Sequence, residues 1–165
     1  MDKLRVIKSK IIKADSVQNW LTYWKFKRKI IVFTNGCFDI LHRGHIEYLL
    51  KAAKNGDVLI VGLNTDKSVK KIKGSGRPYQ DQKSRALILA SLHFVTAVIL
   101  FNEETPYELI KLIQPDVLVK GGDYKPDEIV GYDIVKAKGG KVVTIDYISG
   151  YSTSSIIERI SMNNK

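Results

Sequence analysis

Two of the three histidines in this sequence, His42 and His45, lie three residues apart around Gly44. They follow a short apolar run and precede a helical pattern that contains Ile46 and Leu49. At a helix N-terminus, free N–H groups and a partial positive charge attract phosphate, and imidazoles can donate hydrogen bonds to phosphoryl oxygens. A glycine there lets a ligand approach the backbone closely. The spacing therefore predicts that His42, Gly44 and His45 bind a phosphate group.

Two other interpretations of the histidine pair stay open at this point. The rings could simply cap the loop that leads into the helix. Neutral imidazoles also bind zinc readily, but no third cluster of ligand residues accompanies His42 and His45. We therefore predict no metal site within the protein.

A second candidate is the lysine-rich segment 67–73, which is followed by glycines and by Arg77 and Arg85. Flexible glycines between positive charges would allow this segment to close over a triphosphate. We expect Lys73, Arg77 and Arg85 to be the phosphate contacts. The other lysines could equally form a solvated basic face, which is common for a run of charges.

A third candidate is the hydroxyl-rich run Ser152, Thr153 and Ser154, which precedes Ile156 and Ile160 at helical spacing. Hydroxyls and free backbone N–H groups at the start of a helix favour an anion. A plain helix cap would need only one hydroxyl. The run therefore predicts both a helix start and an anchor for phosphate.

These candidates must be positioned by regular elements, and five apolar runs rich in valine and isoleucine supply them. Each run is followed by turn residues and a helical pattern, which predicts a doubly wound α/β fold with a five-stranded parallel sheet. In such sheets ligands bind beyond the carboxyl ends of the strands, so the loops that carry the candidate residues should meet at one edge of the sheet. The five predicted strands are 30–34, 57–63, 97–101, 116–120 and 141–146.

The length of 165 residues and the hydrophobic content of 44% suit a single domain covering 1–165. We expect residues 30–161 to form its core and residues 1–29 to form an accessory helical region. Ser16 is placed to cap a helix containing Trp20 and Trp24. The aromatic side chains of this helix would cover the sheet or, alternatively, pack against a second subunit.

Composition excludes several classes of protein. The single cysteine, Cys37, cannot form an internal disulfide, and no export signal is visible, so we expect a cytoplasmic protein. The uncharged stretch 86–102 is too short and too polar to span a membrane. The net charge of +10 favours anionic partners. A nucleic-acid-binding module would use this charge but would leave His42 and His45 unexplained.

Several of these motifs together resemble a known family. The pattern His42-x-Gly44-His45 after the first strand, with the hydroxyl run before the last helix, resembles the cytidylyltransferase-like nucleotidyltransferases. Within that group, four further motifs resemble the D-glycero-D-manno-heptose 1-phosphate adenylyltransferases in their stand-alone form. They are Thr34-Asn35-Gly36-Cys37-Phe38-Asp39, Gly76-Arg77-Pro78, Pro115-Asp116-x-Leu118-Val119-Lys120-Gly121-Gly122-Asp123-Tyr124, and Gly139-Gly140.

The resemblance implies a Rossmann-like fold and the joining of ATP to D-glycero-D-manno-heptose 1-phosphate, giving ADP-heptose and pyrophosphate for surface glycans. It also implies Mg²⁺ carried by the nucleotide, neither nucleic acid nor membrane as a partner, and a homodimer. Alternative substrate pairs are CTP with glycerol 3-phosphate, ATP with a flavin phosphate, and GTP with heptose 1-phosphate.

The resemblance also assigns residues to roles. We predict that His42, His45 and Lys73 are catalytic and that Asp39, Gly122 and Asp123 contact hydroxyls of the sugar or nucleoside. The predicted nucleotide- and phosphate-binding residues are Asn35, Gly36, Cys37, Phe38, Gly44, Arg77, Lys120, Gly121, Ser152, Thr153 and Ser154.

Overall fold

A computed structural model describes residues 2–122, 124–148 and 150–163 of the chain. Its centre is one parallel sheet with the strand order β1-β4-β3-β2-β5-β6. The strands are β1 (Ile11–Ile12), β2 (Ile31–Gly36), β3 (Val58–Asn64), β4 (Ala97–Phe101), β5 (Val117–Gly121) and β6 (Lys141–Ile145). The α/β class and the five predicted strands are confirmed, but the predicted number of strands was one too few.

Helices cover both faces of this sheet. They are α1 (Lys3–Ser9), α2 (Val17–Phe26), α3 (Arg43–Ala53), α4 (Asp66–Lys73), α5 (Gln82–Ser91), α6 (Tyr107–Ile113), α7 (Tyr132–Ala137) and α8 (Thr153–Asn163). Short 3₁₀ turns precede α2 and α7. No helix among the described residues is both long enough and apolar enough to cross a membrane.

The strands are continuous apolar runs because both faces of the sheet are buried. In β2, Ile31 and Phe33 join the core cluster beneath α2, α6 and α7, while Val32 between them joins the opposite cluster. That second cluster is covered by α3 and α5, which contribute Leu49 and Leu89. The period of two along each strand thus builds two separate cores.

The strand missed by the sequence analysis lies in the N-terminal region. Ile11 and Ile12 pair with Val98 and Ile99 of β4 and extend the sheet at that edge. Two apolar residues are too few to show a strand period, so the sequence carried no clear signal.

The helix predicted after Ser16 is present as α2, but its predicted cap is not. Ser16 Oγ donates to the carbonyl of Lys13 at 3.1 Å and makes no side-chain cap bond. Leu21 and Trp24 are buried in the core, whereas the Trp20 side chain is 44% exposed. The N-terminal region therefore contributes to the core instead of only covering it.

The order of the strands reverses at β2. Beginning there, the chain adds β3 and β4 on one side and then returns to add β5 and β6 on the other. A crevice forms at such a reversal, beyond the carboxyl ends of the two neighbouring strands. In this protein it lies beyond the ends of β2 and β5.

Candidate active site

A cavity of about 800 Å³ lies at this reversal, a volume suited to nucleotide-sized ligands. It brings together residues from the loop of His42 and His45, from the turn that follows Lys120, from the hydroxyl run and from the end of α4. The predicted site residues that line it are Asn35, Gly36, Cys37, Phe38, Asp39, His42, Gly44, His45, Lys73, Arg77, Lys120, Gly121, Ser152, Thr153 and Ser154. Gly122 follows directly after the lining residues, and Asp123 lies outside the described residues.

The two histidines form a stacked pair at the start of α3. Their ring centroids are 3.8 Å apart and the rings are inclined by 22°. His42 is the N-cap, and its Nδ1 faces the backbone N–H of His45 at 3.4 Å. An Nδ1 that accepts carries no proton, so this contact favours the tautomer with the proton on Nε2. His42 can then donate from Nε2 to a ligand.

Burial keeps both imidazoles neutral. The pKa of His45 is lowered from 6.5 to about 4 by burial first, then by repulsion from His42 when that ring is protonated, and then by the charge of Lys73. Burial also lowers the pKa of His42. The Nδ1 atom of His45 is buried and makes no well-aligned hydrogen bond among the described residues, although the neighbouring Ile40 backbone acts to raise the pKa. The pair is therefore suited to hydrogen bonding with a ligand and not to accepting a proton near neutral pH.

Gly44 allows the starts of α3 and α8 to approach one another. A β-carbon at Gly44 would lie 3.1 Å from the His42 ring and 3.1 Å from Cβ of Tyr151. Arg43 Nη1 donates to the Tyr151 hydroxyl at 3.2 Å across the same contact. Two helix N-termini therefore lie side by side at the cavity, where their partial positive charges favour an anion.

The three residues of the hydroxyl run have different roles at the start of α8. Ser152 caps the helix, because the N–H of Ser155 donates to Ser152 Oγ at 3.0 Å. Thr153 and Ser154 make no side-chain hydrogen bond within the described part of the chain. These two hydroxyls therefore remain free for a ligand.

Lys120 brings a partly buried cation to the end of β5. Its Nζ donates to Asn35 Oδ1 at 3.1 Å, and it forms no ion pair within residues 2–122, 124–148 and 150–163. Burial lowers the pKa of Lys120. A positive charge with only a neutral amide beside it is available to a phosphate.

Asp39 and Arg77 are already engaged with each other. Arg77 Nε lies 2.8 Å from Asp39 Oδ2, but the N–H is not aimed at that oxygen, so the contact is an ion pair without a hydrogen bond. The Asp39 carboxylate also accepts from the N–H groups of Tyr79 and Gln80 at 2.8 and 2.9 Å. This geometry differs from the predicted roles, because the Asp39 carboxylate holds a protein segment and the charge of Arg77 is already balanced.

Arg85 does not reach the cavity, contrary to the sequence prediction. Its side chain is completely buried beneath the first loop, residues 37–42. The lysines of α4 before Lys73 are exposed on the protein surface and do not line the cavity. Lys73 and Lys120 are therefore the lining lysines that form no ion pair within the described residues.

Cys37 lines the cavity without the character of a nucleophile. Its Sγ lies 3.9 Å from Asn64 Oδ1, and burial raises the pKa of the thiol. A thiol that stays protonated near neutral pH reacts slowly. Its backbone carbonyl, in contrast, accepts a hydrogen bond from Arg85 at 2.6 Å.

Several tyrosines in the cavity were missed by the sequence analysis. Tyr147 follows β6 and covers the turn at the end of β5, where a β-carbon on Gly121 would lie 2.8 Å from its ring. The Tyr48 hydroxyl lies 2.6 Å from Thr34 Oγ1 and donates to the Val119 carbonyl at 3.3 Å. The position of Tyr147 just beyond a strand end was the available signal, because strand ends line such crevices.

The described residues contain no group of three or more histidine, cysteine, aspartate or glutamate side chains arranged to hold a metal ion. Four acidic residues line the cavity, Asp39, Glu104, Glu128 and Asp146, and Asp39 forms an ion pair with Arg77. The absence of a resident metal therefore stays a prediction.

Curated proteins and solved structures are similar to this chain over most of its length. The bifunctional protein HldE of Wolinella succinogenes is 52% identical over 151 residues. The match covers 92% of this chain but 31% of that relative, so the chain spans about a third of the relative's length.

Solved structures extend the comparison. A lipopolysaccharide core biosynthesis protein from Thermoplasma volcanium is 33% identical with a TM-score of 0.60, covering 75% of this chain and 99% of that one. A pantoate-beta-alanine ligase from Francisella tularensis shares the fold at 18% identity, with a TM-score of 0.56, over 94% of this chain and 78% of that one.

A family model matches most of the chain. The model described as cytidylyltransferase-like matches residues 33–159, a range that begins in β2 and ends in α8. It therefore includes the stacked histidines, Lys120 and the hydroxyl run. On this match and these relatives, the chain belongs to the cytidylyltransferase-like family of nucleotidyltransferases.

Proposed function

We propose that the chain transfers the adenylyl group of ATP to D-glycero-D-manno-heptose 1-phosphate, which yields ADP-heptose and pyrophosphate. The observation that carries this proposal is the stacked, neutral pair His42 and His45 at the start of α3. Neutral imidazoles that donate hydrogen bonds stabilise charge on phosphoryl oxygens. Such a site fits phosphoryl chemistry that depends on positioning and charge neutralisation.

The proposed reaction needs no protein base. An oxygen of the sugar phosphate, already negatively charged near neutral pH, attacks the α-phosphorus and forms the new P–O bond. The bond between the α-phosphorus and the oxygen that bridges to the β-phosphate breaks, and its electron pair leaves with pyrophosphate. The protein must hold the two oxygens in line and neutralise the charge that develops.

Five of the lining residues have a place in this scheme. His42 and His45 donate to the α-phosphate, and Lys73 neutralises the departing pyrophosphate. Thr153 and Ser154 anchor the triphosphate at the N-terminus of α8. Mg²⁺ enters as part of the MgATP substrate, with phosphate oxygens and water as its main ligands.

The choice of substrates rests on similarity. The names of the relatives, HldE and lipopolysaccharide core biosynthesis protein, point to surface-glycan precursors. Lys120 offers a second cation at the end of β5, apart from Lys73 at the end of α4, which suits two phosphate-bearing substrates. CTP with glycerol 3-phosphate, ATP with a flavin phosphate, and GTP with heptose 1-phosphate are the alternative pairs.

Pyrophosphate release tests the proposal directly. The purified protein is assayed with Mg²⁺, each of ATP, GTP and CTP, and either heptose 1-phosphate or glycerol 3-phosphate. Release with ATP and heptose 1-phosphate is expected, and His45→Ala should lower it by a factor of about 10². Release only with another pair would change the substrates, and no release from any pair by folded protein would contradict the proposal.

The proposal includes a cytoplasmic location, where ATP is supplied, and assembly as a homodimer. Its partners are ATP and a sugar 1-phosphate, with no nucleic acid. Sedimentation velocity of the purified protein, with and without a labelled oligonucleotide, tests the homodimer and the exclusion of nucleic acid. A monomer would contradict the first, and an oligonucleotide that sediments with the protein would contradict the second.

A further inference from the structure

Arg85 joins three segments of the chain beneath the active site. Its side chain is completely buried, and all three guanidinium nitrogens donate hydrogen bonds. Nη1 donates to the Cys37 carbonyl at 2.6 Å, Nε to the Gln80 carbonyl at 3.0 Å, and Nη2 to Asp66 Oδ1 at 2.8 Å. A planar guanidinium with fixed donor directions therefore sets how these segments lie relative to one another.

The bond to Cys37 leads toward the histidines. The next residue, Phe38, has a φ of 43°, a left-handed conformation that bulky residues rarely adopt without support from their surroundings. The Phe38 ring meets the His45 ring edge-on, with centroids 5.2 Å apart. His45 in turn stacks on His42. A continuous series of contacts thus connects Arg85 to both imidazoles.

The bond to Gln80 holds the segment that carries Arg77. Asp39, in the same loop as Phe38, accepts from the N–H groups of Tyr79 and Gln80. Arg85 accordingly binds the carbonyl side of this segment while Asp39 binds its N–H side. Both contacts press the segment against the first loop.

We propose that Arg85 is a positioning residue for the proposed reaction. By fixing the Cys37 carbonyl it holds Phe38 in its left-handed conformation, and Phe38 then sets the orientation of His45 toward the α-phosphate. The catalytic consequence rests on the function proposed above. The orientation of His45 does not, because it can be measured without substrate.

Arg85→Lys is the direct test, with Asp66→Asn as its matched control. A lysine keeps the positive charge, but its single compact ammonium lacks the planar fork that reaches all three acceptors, so the first loop loses its support. Asp66→Asn alters the same guanidinium's contact with α4 and leaves its hydrogen bonds to the Cys37 and Gln80 carbonyls in place. The ring resonances of the three histidines are recorded by NMR at one pH, and kcat and KM are measured alongside.

We expect Arg85→Lys to shift the His45 ring resonance and to lower kcat about 10-fold or more, with the KM for ATP changed less than about threefold. Asp66→Asn should leave both the resonance and kcat close to wild type. An unshifted His45 resonance in folded Arg85→Lys protein would overturn the proposal. Equal shifts and equal losses of kcat in both variants would also overturn it, because they indicate a general structural effect.

If Arg85→Lys does not fold, Arg85→Gln takes its place. A glutamine removes the buried charge and lacks the planar fork that joins the Cys37 and Gln80 carbonyls to Asp66. The His45 resonance should shift, and an unchanged resonance would refute the positioning role. If the wild-type protein releases no pyrophosphate, the proposed function fails on its own, and the resonances still decide whether Arg85 orients His45.

Discussion

At the scale of single residues, local surroundings decide which side chains in the cavity can bind an anion. Burial keeps His45 neutral, and Asp39 balances the charge of Arg77. Lys73 and Lys120 have no carboxylate partner among the described residues. The cavity therefore combines neutral hydrogen-bond donors with two available positive charges, which suits a ligand that carries several phosphates.

The lowered pKa of His45 makes stability depend on pH. In the unfolded chain its pKa returns from about 4 to the ordinary 6.5, so the unfolded state binds more protons between these values. Above pH 6.5 His45 is neutral in both the folded and the unfolded state, and the free energy of unfolding is at its full value. As the pH falls from 6.5 toward 4, the unfolded chain takes up the proton and the free energy of unfolding decreases. In urea unfolding at about pH 7 and about pH 5, His45→Gln should reduce the difference between the two free energies of unfolding. An unchanged difference would contradict the low pKa.

Lys120 is expected to serve binding at some cost to stability. Lys120→Gln removes a partly buried charge, so the free energy of unfolding should stay equal or rise, while the KM for a phosphate substrate should rise roughly 10-fold or more. Lys71→Gln, on the exposed face of α4, is the control and should change neither quantity. Steady-state kinetics and urea unfolding measure both. An unchanged KM in Lys120→Gln would show that Lys120 does not bind the phosphate substrate.

The sequence identified residues that share a strand end, but not the pairs that form between distant segments. His42, Lys120 and Ser152 were predictable because parallel strands bring their carboxyl ends to one edge. The pairing of Asp39 with Arg77 depends on how two loops meet in space. Arg85 was misassigned because a basic residue near other basic residues gives no indication of whether it faces solvent or the interior.

At the scale of elements, the starts of α3 and α8 create the phosphate-binding end of the cavity. Both starts were predictable from apolar spacing after a polar loop. Their contact through Gly44 and Tyr151 was not, because it depends on the packing of two helices that are far apart in sequence. The apolar runs likewise predicted five strands, whereas the two-residue β1 was too short to show a pattern.

Two glycines beside α7 allow the stability cost of backbone strain to be distinguished from the cost of a packing clash. Gly131 and Gly139 have φ values of 89° and 81°, so a side chain at either position is strained. A β-carbon at Gly131 would lie 2.7 Å from Ile110 Cδ1, whereas one at Gly139 would meet nothing within 4 Å. Gly139→Ala should cost about 1 kcal/mol of stability, and Gly131→Ala clearly more. Equal losses in urea unfolding would contradict the packing of α6 against Gly131.

At the scale of the whole molecule, residues 1–29 complete the core on one side of the sheet. Ile12 of β1 and Leu21 and Trp24 of α2 are buried in the cluster that also contains Phe33 of β2. Phe33 lies in the strand that leads directly to the first loop. The N-terminal region therefore packs in the same core as the strand that leads to the active site, although it does not line the cavity.

Removal of residues 1–29 should prevent cooperative folding, because it exposes the apolar face that α2 covers and removes β1 from the sheet edge. Removal of residues 1–9 alone is the control, since α1 has no buried residue. Thermal unfolding followed by circular dichroism should show one cooperative transition for the shorter deletion and none for the longer. A deletion of 1–29 that unfolds cooperatively near the wild-type temperature would show that residues 30–161 form a complete core without the N-terminal region.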